Sequence, residues 1–293
     1  MVVFWNLLKR NRAALLGLGV VLFFVIVALL APILAPHDPT EIFDGQLKLN
    51  PIWSSTLSPE LQAPNSNTRF LLGTDDVGRD LLSRLIYGAR VSLLAGFVVV
   101  LLSGAVGVSL GLWAGFREGR IDAVISRLTD ILMSLPSILL SIVVVAVLGQ
   151  SFVNALLAVS VTLIPSFVRL VRASVLAEKE KAYVQASRSF GATDFRLAVL
   201  TILPNCLGPI LVQMALGFSD GILSVAALGF LGLGAQAPTP EWGVMLADAR
   251  SFIETSPWLV TLPGLCILMV VIAFNLLGDG LRDALDPRLK NRT

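Results

Sequence analysis

The chain has 293 residues, 55% of them hydrophobic and only 14% charged. Soluble domains carry roughly 25% charged residues, so this composition places most of the chain in lipid. A net charge of +2, with no run of basic residues, excludes a nucleic-acid-binding chain.

In chain order, the first element is an uncharged run from 13 to 35, preceded by Lys9, Arg10 and Arg12. It exceeds the roughly 7–15-residue apolar core of a signal peptide, and Pro32 and Pro36 suit a helix stop better than a cleavage site. A retained first transmembrane helix at 13–35 is expected, after a cytoplasmic segment at 1–12. Residues 36–87 carry more acids than bases and read as an external, periplasmic loop. The uncharged run 91–116 is a second span. The uncharged stretch 131–168 is too long for one crossing, which takes about 20 residues. Gly149-Gln150-Ser151 is the expected break between spans three and four. Spans five and six are expected at 205–230 and 258–277, and a cytoplasmic tail at 279–293. The fold class is therefore all-α, a polytopic membrane protein of about six transmembrane helices, five of them in a core at 88–278.

Lys and Arg gather on the cytoplasmic side of membrane proteins. Lys9, Arg10 and Arg12 precede the first span, and Arg117, Arg120 and Arg127 flank the turn after the second. Arg169, Arg172, Lys179, Lys181, Arg188 and Arg196 fill the connection after the fourth, and Arg282, Arg288, Lys290 and Arg292 mark the tail. With six spans all of these fall on one side, so both termini are expected in the cytoplasm.

Gly107, Gly111 and Gly115 recur every fourth residue, which puts them on one helix face for close approach of a second helix. Pro136 and Pro165 lie in or near spans three and four, where proline bends a helix. Cys206 and Cys266 have neither metal-ligand spacing nor a disulfide framework, and His37 is the only histidine, so no metal site is expected.

The segment 173–204, between spans four and five, is long enough to have structure of its own. Tyr183, Ala186 and Phe190 fall on one face of a short helix, Gly191 suits the position after its end, and Thr193 can cap a following helix with Asp194 in its first turn. Phe195, Val199 and Leu200 are then expected to return the chain toward the membrane. The product is two short helices at a bend, with an apolar ridge suited to a groove on a soluble partner. A helix resting on lipid is the plain alternative.

This segment resembles the coupling loop of ABC-importer permeases, whose pattern is E-A-A-x3-G-x9-I-x-L-P. Gln185-Ala186-Ser187 stands in for E-A-A, Gly191 for the glycine, and Leu203-Pro204 for the closing pair, while Gln185, Ser187 and Thr201 depart from the pattern. Two further stretches, Leu72 to Arg90 and Ala226 to Gly243, are similar to segments of the C-type subunits of dipeptide and oligopeptide permeases, as is the end of the chain from Leu277 to Lys290. The resemblance implies a type I ABC-importer permease. Its ATPase-coupling loop would comprise Tyr183, Gln185, Ala186, Ser187, Phe190, Gly191, Phe195, Arg196, Leu203 and Pro204. It implies as partners a second permease subunit, two ATP-binding subunits and a periplasmic solute-binding protein. ATP and Mg would be used by the partner ATPases, with no cofactor bound by this chain. Dipeptides or short peptides are the implied cargo, with oligopeptides, haem or nickel complexes as alternatives.

Outside the membrane, Asp75, Asp76, Arg79, Asp80, Glu241 and Trp242 are candidate contacts for the binding protein. Asp75 with Arg79, and Asp80 with Arg84, have the i,i+4 spacing of helical ion pairs, so a self-satisfied surface helix is the competing expectation. Inside it, Asp220 sits in the middle of span five with Ser224 one turn on. A charge at that depth usually faces a polar interior, so the pair is a candidate lining for the translocation path. The chain contains no G-x4-G-K-[ST] phosphate cradle, so energy must come from another chain. An ion-coupled secondary transporter would call for more intramembrane carboxylates. An intramembrane enzyme would need a nucleophile with a base, or metal ligands, in the spans; none is seen, and no catalytic residue is assigned.

Overall fold

A computed structural model describes residues 11–53 and 70–285; the expectations for Lys9, Arg10, Arg288, Lys290 and Arg292, and for 54–69, lie outside the described residues. The described chain is helical, with a single isolated bridge between Thr74 and Asp80. The elements are α1 (Arg12–Leu29), α2 (Ala31–Leu34), α3 (Leu81–Arg117), α4 (Gly119–Met133), α5 (Ser137–Leu148), α6 (Phe152–Lys179), α7 (Ala182–Ser189), a π-helical stretch (Arg196–Ile202), α8 (Leu203–Phe230), α9 (Trp242–Ala249) and α10 (Trp258–Leu285). A short 3-10 turn, Arg250–Phe252, follows α9.

Among the described residues, five helices are long and apolar enough to cross a membrane: α1, α3, α6, the continuous run Arg196–Phe230, and α10. The third expected span differs. α5 has 12 residues, about 18 Å of helix against a hydrocarbon core of about 30 Å. It joins α4 at a 94° bend rather than crossing as one straight helix. The break falls at Ser134-Leu135-Pro136, because proline disfavours the helical conformation in the residue before it and offers no backbone donor. Pro165, by contrast, lies buried inside an unbroken α6. The break expected at Gly149 is present: Gly149 closes α5 with φ +93, and Ser151 caps α6 by accepting from the Asn154 N–H.

The glycine face works as a close-packing seam, and its partner is α6 of the same chain. A Cβ on Gly107 would stand 2.4 Å from the Phe167 Cβ, on Gly111 2.7 Å from the Val168 carbonyl oxygen, and on Gly115 2.8 Å from that of Arg172. Lipid tails are as apolar as leucine, so helices in a bilayer gain from close contact rather than from leaving water. Three apolar cores result among the described residues. One gathers Phe24, Leu85, Phe218, Trp242 and Val270 from α1, α3, α8, α9 and α10; one holds Leu112, Val171, Val184, Leu197 and Ile202; one holds Val99, Val145, Val159 and Val225. Asn11 caps α1 and also donates to Asp283 near the end of α10 at 3.1 Å, which places those two helix ends side by side.

Candidate functional site

The segment after α6 forms a bend held at both ends. α7 closes at Phe190, where Gly191, at φ +80, donates to the Arg188 carbonyl, and Ala192 donates back to that of Ser187. This paired pattern satisfies the orphan carbonyls of the last turn and needs a left-handed residue, which glycine supplies without strain. Thr193 accepts from the Arg196 N–H at 3.4 Å at the start of the next helix. Lys179 ties the segment to the end of α3 through the Phe116 carbonyl and the Glu118 carboxylate, and Arg117 pairs with Asp194 at 3.5 Å. The Tyr183 hydroxyl donates to Glu178 at 2.6 Å. Burial first, then that carboxylate, push the phenol up to about 12, so it stays protonated.

One expectation for this segment is corrected. The second short helix is not separate: the chain runs from Asp194 through the π-helical stretch straight into α8. Pro204 lacks an N–H and its ring crowds the preceding turn, so the wider π geometry before it is a physical match. Val184, Leu197, Ala198 and Ile202 dock the bend, while Phe195 and Leu200 point outward at 62% and 66% exposure. The outward surface therefore carries Tyr183, Gln185, Ala186, Phe190, Phe195 and Arg196, with Ser187 and Leu203 half-buried and Pro204 exposed. Phe190 is 91% exposed, an aromatic knob with nothing of its own chain around it.

Asp220 and Ser224 share a cleft of about 470 Å³ with Thr162 and Ser166 of α6 and Ser137 of α5. Asp220 is exposed and Ser224 half-buried, so the cleft is open on the side away from the core. The three further hydroxyls escaped the sequence reading, although Thr162 and Ser166 stand one turn apart in an otherwise apolar run. The cleft's floor comes from the α4–α5 bend, through Leu132, Met133 and Leu135. It is a polar trough in apolar walls, with one carboxylate at its centre.

The external candidates are mostly buried. Asp75, Arg79, Asp80, Glu241 and Trp242 are at most 8% exposed, which withdraws their side chains as a contact surface; Asp76 is half-buried. Arg79 pairs with Asp75 at 2.6 Å, but in a turn rather than a helix, and reaches Asp248 at 3.7 Å. Arg84 pairs with Asp75 at 3.4 Å, not with Asp80, and donates to the carbonyls of Pro39 and Pro238. Asp80 caps α3 through the Ser83 N–H and hydroxyl, and meets His37 at 3.3 Å. Glu241 caps α9 by accepting from the N–H groups of Gly243 and Val244, with the Ser92 hydroxyl at 3.4 Å. Burial pushes its carboxyl above the ordinary value, against the pull of those three bonds. Trp242 donates to the Leu85 carbonyl and packs edge-on to Phe24. These groups lock the segment before α9, α3 and the 36–53 loop into one scaffold.

Membrane-crossing helices, a polar trough among them and a braced bend bearing an exposed aromatic ridge define a polytopic membrane transport permease. Residues 107–291 match the profile of the binding-protein-dependent transport system inner membrane component, and residues 1–59 that of the N-terminal TM domain of oligopeptide transport permease C. The chain belongs to the first of these families. It is 53% identical to the dipeptide transport system permease protein DppC of Haemophilus influenzae, over 98% of this chain and 94% of that one. It is 52% identical to DppC of Escherichia coli strain K12, over 98% and 93%. It is 42% identical to the glutathione transport system permease protein GsiD of Pectobacterium atrosepticum, over 98% and 91%. An inward-facing structure of the MetNI methionine ABC transporter shares the fold, with a TM-score of 0.58 at 18% identity over 70% of this chain and 98% of that one.

Proposed function

We propose that this chain is one permease subunit of an ATP-driven importer that moves dipeptides or short peptides across the bacterial inner membrane. The observation that carries the reading is the ridge of Phe190 and Phe195 on a bend fixed by Gly191. An aromatic side chain 91% exposed beside a rigid turn is a ready plug for a groove on a soluble chain. The chain has no phosphate cradle, so it performs no hydrolysis itself: two separate ATP-binding subunits use ATP and Mg, and this chain binds no cofactor. Closure of those subunits on ATP pushes the bend, and the continuous helix from Asp194 through α8 carries the push to Asp220 without an intervening loop.

A second permease subunit closes the open side of the cleft, and an external binding protein delivers cargo from the periplasm. Both termini lie in the cytoplasm, a placement supported by the Lys and Arg distribution. The dipeptide cargo rests on the names of the DppC relatives and on chemistry in the cleft. Asp220 offers a counter-charge to a peptide ammonium, and Ser137, Thr162, Ser166 and Ser224 offer hydrogen-bond partners to its backbone. The test is uptake into proteoliposomes holding the complete complex, with labelled dipeptides, longer peptides and haem. ATP-dependent dipeptide uptake that requires every subunit is expected. Uptake by the chain alone, driven by an ion gradient, would overturn the reading.

A further inference from the structure

A second groove, of about 660 Å³, lies between α1, α3, α8 and α10. Its walls include Leu29 of α1 and Leu94 and Phe97 of α3, and its floor is the stacked pair Phe218 and Phe274, with ring centroids 3.8 Å apart. Its one charged lining residue is Arg90. That guanidinium is exposed and, among the described residues, meets no acidic side chain and donates no hydrogen bond.

The geometry orders these groups along the membrane normal. Arg90 immediately precedes the uncharged run 91–116, so it sits at the boundary between water and hydrocarbon. Leu94 and Phe97 follow at i+4 and i+7 on the same face, one and two turns into the hydrocarbon. A cation at the headgroup level thus stands over an apolar slot running toward the bilayer interior. On α8, Phe218 and Asp220 are two residues apart, about 200° around the helix. The slot and the polar cleft therefore open on opposite faces of α8. The face that a second permease would close is the cleft's; the slot looks away from it, into the bilayer.

We propose that this slot binds an anionic phospholipid, with one acyl chain along Leu94, Phe97 and the Phe218–Phe274 pair and the phosphate on Arg90, in the leaflet beside the 36–53 loop. A transmembrane helix of another chain would fill the slot but would leave the guanidinium without a counter-charge at the edge of the membrane. An anionic headgroup supplies that charge where water is already thinned.

The experiment uses the assembled importer in nanodiscs carrying trace phosphatidylglycerol or phosphatidylcholine with a photoreactive diazirine in the acyl chain, and maps the labelled peptides. The phosphatidylglycerol probe is expected to label the α3 segment around Leu94 and Phe97 in preference to the phosphatidylcholine probe. Arg90→Gln should lower that preference about fivefold, the size expected for one basic side chain at an anionic surface. Arg90→Lys should restore most of it, and Leu94→Trp, which fills the slot, should reduce labelling by both probes. Equal labelling of the unsubstituted protein by the two probes overturns the proposal, even where a variant fails to fold. So does an unchanged preference in Arg90→Gln, or a slot that cross-links to another permease chain instead of lipid.

Discussion

Gly191 offers a test in which the cost comes from backbone conformation alone. Its φ of +80 lies in the left-handed region, and a Cβ built there meets nothing within 4 Å. Substitution therefore brings no clash; it brings only the preference of an L-residue to leave that region. Asparagine tolerates it with little penalty, alanine costs about 1 kcal/mol, and a β-branched valine costs about 2–3 kcal/mol. Leaving that region breaks the bonds from Gly191 to Arg188 and from Ala192 to Ser187, and re-aims the exposed Phe190. With the complete complex in proteoliposomes, ATP-driven peptide uptake should fall in the order Asn, Ala, Val, with uptake abolished in Gly191→Val. Membrane insertion and the yield of folded chain should stay level. Valine with normal uptake would remove the bend from the coupling path. A loss equal in all three variants would contradict a cost graded by backbone conformation.

Three other outcomes are expected. Gly111→Leu must push α3 from α6, because its Cβ would stand 2.7 Å from the Val168 carbonyl oxygen and 2.8 Å from the Val171 Cβ. A loss of about 1–3 kcal/mol should appear as a lower unfolding temperature in detergent, and an unchanged temperature would contradict the seam. Asp220→Asn keeps the shape of the cleft and removes its charge, so KM for a free dipeptide should rise about tenfold, the equivalent of 1.4 kcal/mol. An N-acetylated dipeptide, lacking the ammonium, should be transported alike by both proteins; an equal loss for both cargoes would contradict a direct contact. Glu241→Gln replaces one of the two oxygens that accept from buried N–H groups at the start of α9 with a donating NH2. It should cost about 1–3 kcal/mol of thermal stability, and a neutral result would show that the cap is dispensable.

The parts legible in the sequence were those set by local chemistry. The close-packing face at Gly107, Gly111 and Gly115 follows from a four-residue repeat, and the left-handed Gly191 from a glycine placed after a short amphipathic helix. A bend at Pro136 was legible from the proline itself, but not that it would reach 94° and split the third span. The apolar run continues through Ser134-Leu135-Pro136, and a window long enough to find a span averages across a turn. The external charges misled for a related reason. Asp75, Arg79, Asp80 and Arg84 read as solvated because charges rarely enter a core alone. Here they enter together, and part of their satisfaction comes from Asp248, Pro39 and Pro238, far away in the chain. The cleft was half legible: Asp220 stood out as a charge among apolar residues, whereas single hydroxyls such as Thr162 are common packing residues in membrane helices.

Under the proposed function, force enters this chain at the aromatic knob on the bend. A photoreactive phenylalanine analogue placed at Phe190, in the assembled complex, tests it directly. The expected result is a cross-link to an ATP-binding subunit whose yield changes when ATP is added. A cross-link confined to lipid, or labelling of position 190 from the periplasmic side in intact spheroplasts, would contradict it.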